Sequence, residues 1–169
     1  RQRQMCIRDR ILSDLGARVI KIEAPEVGDD SRKFGPFIDD YSAYFMSLNR
    51  GKESIALNLK NSDDKKIFDK ILSKADILVE NFKPGTLERW GFGWKEVNKK
   101  YPKLIYASAS GFGQTGPLRE LPAYDMVVQG MGGLMSVTGQ PNSEPTRVGT
   151  SIGDITCLLY TSPSPRDVE

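Results

Sequence analysis

Residues Glu53–Glu80 read ESIALNLKNSDDKKIFDKILSKADILVE, and this stretch sets the fold class. Glu53–Leu59, with Ile55, Ala56, Leu57 and Leu59, reads as a strand. Ser62 can cap a helix over Asp63–Lys74, in which Ile67, Ile71 and Leu72 make one apolar stripe. Asp63 and Asp64 stand in its first turn, where the helix dipole favours anions. Asp76–Glu80 is a short apolar strand. Two strands joined through a helix run parallel, because a parallel pair needs a long crossover.

The same alternation extends outward. Upstream, Arg18–Glu23 (RVIKIE) alternates like a strand, and Ile11–Leu15 looks like the end of a helix that Gly16 can cap. Ala24–Asp40, rich in Pro, Gly and Asp, reads as a loop. Downstream, Thr86–Trp90 is a helical turn ended by Gly91, Trp94–Tyr101 is a helix stopped before Pro102, and Leu104–Ser108 is a strand. Ser110–Leu121 is a glycine-rich loop. The apolar spacing over Ala123–Val137 predicts a helix with glycines at 130, 132 and 133. The sum is an α/β fold: a Rossmann-like, open, mainly parallel sheet with flanking helices. Ligands of such sheets gather at the carboxyl ends of the strands. The loops after Glu80 and Ser108 are such places.

Composition narrows the chemistry. The 169 residues carry 27% charged side chains and a net charge of +2, a globular balance that points to no nucleic acid and no membrane surface. No apolar run reaches the roughly 18–20 residues of a membrane helix. There is no histidine, which excludes Ser-His-Asp and Cys-His catalysis and histidine-built zinc sites in this chain. No metal site is expected. The two ends, RQRQMCIRDR over 1–10 and CLLYTSPSPRDVE over 157–169, fit their neighbours poorly and resemble translated adapter sequence. They leave 11–156 as the part to be folded. Both cysteines, Cys6 and Cys157, fall in those ends, so the central part suits a reducing cytoplasm.

Gly111-Phe112-Gly113-Gln114-Thr115-Gly116 matches G-x-G-x-x-G and follows a strand. A dinucleotide fingerprint also opens a helix inside the motif, with the pyrophosphate at its N-terminus. Pro117 follows the last glycine instead, and no further strand brings an acidic residue. A loop that needs left-handed backbone explains these glycines better than NAD does.

Five stretches together resemble the family III CoA-transferases of the CaiB/BaiF type, a group that includes formyl-CoA and carnitine CoA-transferases. They are LGARVIKIEAPEVGDDSR (15–32), SLNRGKESIALNLK (47–60), ADILVENFKPGTLERWGFGW (75–94), ASGFGQTGP (109–117) with AYDMVVQGMGGLMSVTG (123–139), and IGD (152–154). The resemblance implies that Asp154, in its Gly-Asp pair, is the nucleophile. A carboxylate can attack a thioester, expel CoA thiolate and pass through an aspartyl-CoA intermediate to an acceptor carboxylate. Judged by position alone, before the apolar Ile155, Asp154 reads better as a helix cap. Asp125 matches an acidic position near the active site, or is an N-terminal helix residue. Leu57, Lys60, Asn81, Phe82 and Arg89 match coenzyme-contacting positions, and Lys83 shares the NFKPG loop. Cations there would hold the coenzyme phosphates; each of them could also be a solvated charge, and Leu57 and Phe82 could be core. Arg32 and Arg50 are structural or phosphate-facing, and Gln129 is a polar helix contact.

The resemblance further implies CoA and acyl-CoA as substrates with no tightly bound cofactor, a carboxylic acid as second substrate, a cytoplasmic setting and an interlocked homodimer. It also marks the chain as the N-terminal part of an incomplete large domain, inactive as it stands. Related 2-methylacyl-CoA racemases carry a histidine where Tyr124 stands here. A tyrosine hydroxyl ordinarily titrates near 10 and exchanges an α-proton poorly. Racemization and a non-catalytic CoA- or nucleotide-binding module are the alternatives.

Overall fold

The computed structural model describes residues 2–160. The larger part of the segment set apart at 157–169 therefore lies outside the described residues. The helix legible at Ile11–Leu15 runs from Gln2 to Asp14 (α1) and carries Cys6 and Asp9 into the interior. Gly16, at φ +96°, turns the chain out of it.

Strand β1 (Ile20–Glu23) pairs in parallel with β4 (Glu53–Ala56), from Ile20 opposite Glu53 to Glu23 opposite Ala56. The crossover between them holds more structure than a loop. A 3-10 turn covers Asp30–Lys33, and β2 (Phe37–Ile38) and β3 (Tyr41–Ser42) form an antiparallel hairpin. The two residues of its turn, Asp39 and Asp40, both have positive φ (46° and 64°), as the tightest hairpin turns require. Helix α2 (Ala43–Asn49) follows, its first turn capped by the Ser42 hydroxyl accepting from Phe45 N–H at 3.0 Å.

Helix α3 (Ser62–Leu72) is capped one residue earlier than the sequence suggests. The Asn61 carboxamide accepts from the Asp63 and Asp64 N–H groups at 2.8 and 3.2 Å, and Ser62 is the first helical residue. Then come β5 (Ile77–Glu80), α4 (Thr86–Trp90), α5 (Trp94–Lys100) and β6 (Ile105–Ser108). Strands β5 and β6 are parallel, ending with Glu80 opposite Ser108. The single helix expected over Ala123–Val137 is two pieces. Helix α6 (Asp125–Met131) stops at Gly132, Gly133 takes φ +77°, and Leu134–Val137 is a 3-10 turn. Helix α7 (Ile152–Tyr160) packs against α1 and α6.

The result is α/β with parallel strand pairs, as expected. Among the described residues the strands hydrogen-bond as three two-stranded ladders. The strands are also shorter than the sequence stretches that announce them. Leu57 still donates its N–H to the Glu23 carbonyl at 2.9 Å, but Asn58 and Leu59 have left the ladder to start the turn into α3.

The apolar core is built by Leu57, Phe68, Leu72, Leu87, Phe92, Val97 and Leu104. It joins the inner face of α3 to α4, α5 and the entry to β6. Phe68 and Phe92 meet edge to face with ring centroids 4.7 Å apart, a favoured aromatic geometry. A second interior, between α1, α2 and β1, is polar. There the Lys21 ammonium pairs with Asp29 and donates to Asn49 Oδ1 at 2.9 Å. Lys52 donates to the Cys6 carbonyl at 2.8 Å, and burial pushes its ammonium down from the usual lysine range.

Phe68→Ala should cost about 3–5 kcal/mol, because it deletes a buried ring and leaves a cavity against Phe92. Ile67→Ala, on the half-open side of the same helix, should cost under about 1 kcal/mol. Urea denaturation midpoints of the two variants check the ordering.

Candidate active site

Parallel pairing of β5 with β6 brings their two following loops to one edge. At that edge the Glu80 carboxyl is buried, 7% exposed, directly opposite Ser108. It accepts from the Ser108 hydroxyl and, at 2.7 Å, from the Phe82 N–H. Ser108 Oγ in turn accepts from the Gln114 side-chain amide at 2.6 Å, and that amide reaches Ser110 Oγ at 3.2 Å. One buried carboxyl thus ties the Asn81–Gly85 loop to the glycine-rich loop. Burial raises the Glu80 carboxyl above the usual glutamate range; the donors from Ser108 and Phe82 offset only part of that.

A small cleft lies between these loops. Asn81, Phe82 and Lys83 form one wall; Ser110, Gly111 and Ala123 face them. Gly111 is dictated by close approach: a Cβ there would fall 1.9 Å from the Ala123 Cβ. Phe82 is 41% exposed and stands edge to face with Trp90 at 5.2 Å, so part of its ring remains open to a ligand. Lys83 is exposed. Arg89, on α4, is exposed and donates to Thr86 Oγ1 at 3.0 Å.

Ala123 leads through Tyr124 into α6, whose first residue is Asp125. The Asp125 carboxylate is half-buried, and its Oδ1 accepts from the Gly153 N–H at 2.8 Å. Asp154 follows, 9% exposed, in the first turn of α7. Glycine at 153 lets the helices meet. A Cβ there would sit 3.1 Å from Asp125 Oδ1 and 3.3 Å from Val128 Cγ1. Asp154 is therefore the third residue inside α7, which corrects the alternative that made it a helix cap. Tyr124 is exposed beside this pair.

The residues singled out in the sequence fall into groups. Asn81, Phe82 and Lys83 share the cleft, and Asp125 and Asp154 share the α6–α7 junction. Lys60 is exposed on the turn after β4, its N–H held by Asn58 Oδ1 at 3.1 Å, and Arg89 is exposed on α4; neither lines the cleft wall. Leu57 is 5% exposed in the apolar core. Arg32 is structural: its guanidinium grips the buried Glu23 carboxylate with two bonds, at 2.9 and 3.0 Å, and stacks over Phe45. Arg50 reaches the Asp14 carboxylate at 3.2 Å. Glu80, Ser108 and Gln114 were not singled out as site residues. The available signal was a charged residue ending the apolar run DILVE just before a loop.

A protein of this class, α/β with parallel strand pairs, a cleft at the strand ends and two aspartates on abutting helix starts, has close relatives. The chain belongs to CoA-transferase family III, whose family model matches residues 7–164. It is 58% identical over 146 residues to the acetyl-CoA:oxalate CoA-transferase of Acetobacter aceti, covering 86% of this chain and 38% of that protein. It is 43% identical over 150 residues to the succinyl-CoA:glutarate CoA-transferase of Homo sapiens, covering 88% of this chain and 34% of that one. Among solved structures, a CaiB/BaiF family protein from Brucella suis superposes with a TM-score of 0.86 at 40% identity, over 92% of this chain and 42% of that one. The chain thus spans about two fifths or less of the length of these relatives.

The raised Glu80 carboxyl has a definite consequence for stability. A group whose folded value lies above its unfolded value lends stability at pH below the ordinary glutamate range and loses it as pH rises through the raised value. Glu80→Gln cannot ionise, so its stability relative to wild type should improve progressively between acid and neutral pH. Urea midpoints of both proteins across that range test this; a pH-independent difference would contradict it.

Proposed function

We propose that this chain is the N-terminal part of an enzyme that moves CoA from an acyl-CoA to a carboxylic acid, with Asp154 as the covalent nucleophile. The observation that carries it is the buried Asp154 on the first turn of α7, next to a glycine whose N–H is bound by Asp125. The relatives' names support CoA transfer at the level of the family.

The chemistry balances without an outside proton or electron. An Asp154 oxygen attacks the donor's thioester carbonyl, the C–S bond breaks and CoA leaves as thiolate. The thiolate then attacks the Asp154 carbonyl of the mixed anhydride. The donor acid departs as carboxylate, and an aspartyl-CoA thioester remains. An acceptor carboxylate attacks that thioester, and the released thiolate takes the acceptor's acyl group from the second anhydride, returning Asp154 as carboxylate. Asp125 holds the peptide before the nucleophile and faces the same junction, where it would steady the anhydride stage.

In this reading Asn81, Phe82 and Lys83 bind the coenzyme at the cleft, with Phe82 offering a ring face and Lys83, Lys60 and Arg89 meeting phosphate charge. Leu57 would act from beneath, as core packing. CoA is a substrate, and no tightly held cofactor is required. The two named relatives act with oxalate and glutarate, both dicarboxylic acids, so small dicarboxylates are the first acceptors to try. A cytoplasmic, interlocked homodimer is the assembly we propose for the whole enzyme, and the 169 residues alone should not turn over. Tyr124, where the racemases carry histidine, favours transfer over α-proton exchange.

The test uses the full-length protein that carries this segment. After incubation with acetyl-CoA or succinyl-CoA, the peptide containing Asp154 should gain the mass of CoA or of the acyl group, and Asp154→Asn should abolish the gain. Measurable CoA binding with no adduct from either donor would overturn the aspartyl mechanism in favour of a binding module or an acid–base enzyme.

A further inference from the structure

Gln129 stands out at the α6–α7 junction because it is 2% exposed, and a buried carboxamide must place all its hydrogen-bonding groups. Its Oε1 accepts from the Val148 N–H at 2.8 Å. A backbone N–H can only donate, so this bond fixes which way round the amide sits. The amide nitrogen then faces Asp125, one helical turn earlier, and donates to Oδ2 at 2.7 Å. It also reaches the Thr150 carbonyl at 3.5 Å. The other Asp125 oxygen is taken by Gly153 N–H at 2.8 Å. A closed path results: Val148 backbone, Gln129, Asp125, Gly153 backbone, and so the start of α7.

We propose that Gln129 is the positioning residue for the nucleophile: by directing a donor at Oδ2 it orients the Asp125 carboxylate, which holds Gly153 and hence Asp154 in attacking position. This rests on the aspartyl mechanism proposed above. Gln129 touches no substrate. It acts by committing both Asp125 oxygens as acceptors and by tying residues 148–150 to α6. A shift of about 1 Å in a nucleophile can cost on the order of 100-fold in rate.

The discriminating variant is Gln129→Glu in the full-length protein. Glutamate keeps the shape and an acceptor for Val148 N–H, but turns an oxygen toward Asp125 in place of the donor. Gln129→Met, which removes both polar groups without burying a charge, is the second variant. Single-turnover formation of the Asp154 adduct, followed by mass, should slow about 10- to 100-fold in each. The Kd for acetyl-CoA should stay within about twofold, a split that general loosening of the fold would not give. In an Asp125→Asn background either substitution should add no more than about twofold, because Gln129 acts through Asp125. Adduct formation at the wild-type rate, or a full multiplicative loss in the Asp125→Asn background, would overturn the assignment while leaving Asp154 as nucleophile. A wild-type protein that forms no adduct would instead remove the aspartyl mechanism and this assignment with it.

Discussion

The Glu80 carboxyl, buried at the carboxyl end of β5 opposite Ser108, is the interaction on which the site's architecture depends. Parallel strands deliver their outgoing loops to the same edge, but pairing alone leaves those loops free to move apart. A carboxyl taken from water must be satisfied, and the partners available are Ser108 on the next strand and Phe82 N–H in its own loop. Satisfying it draws both loops together, and Gln114 extends the hold into the glycine-rich segment through Ser108. The cleft is the space left between two loops pinned at their roots. Gly111 then lets the second loop pass against Ala123, and Ala123 leads directly into α6. The cleft wall and the start of α6, which bears Asp125, are joined by two residues of chain.

What was legible in the sequence was what depends on local pattern. Alternation marked β1, short apolar runs marked β4, β5 and β6, and the 3.6-residue stripe with its acidic first turn marked α3, because each signal comes from one segment meeting one core. Boundaries moved where a neighbouring side chain offered a better bond: Asn61 captures the Asp63 and Asp64 N–H groups, and Ser62 becomes the first helical residue. The helix expected through Gly132 and Gly133 broke because Gly133 adopts a backbone angle that ends helices, and apolar spacing carries no information about φ. Strand β2 and the Asp39-Asp40 turn were hidden in Ala24–Asp40, whose Pro, Gly and Asp content reads as loop, and β3 and helix α2 lie just beyond that stretch, where the sequence reading assigned no element.

The site divides along the same line. Asp154, Asp125 and the NFKPG residues announced themselves by motif. Their roles as groups did not, since Glu80 and Gln129 matter through bonds to residues 28 and 19 positions away. Leu57 illustrates the converse. The resemblance points to a coenzyme contact there, and the structure packs the residue in the apolar core with Phe68, Leu72 and Leu104.

A chain without histidine is suited to the reaction proposed. Every step exchanges a carboxylate for a thiolate, or the reverse, at an acyl carbon, so no proton has to be carried and no group titrating near neutrality is required. The burden falls on holding anions close together without mutual rejection. Asp125 and Asp154 both stand in the first turn of a helix, where the free N–H groups and the dipole favour negative charge. Asp125 further spends its two oxygens on the Gln129 amide and the Gly153 N–H, which disperses its charge over two donors. That dispersal favours burying a second carboxylate, Asp154, one residue beyond Gly153.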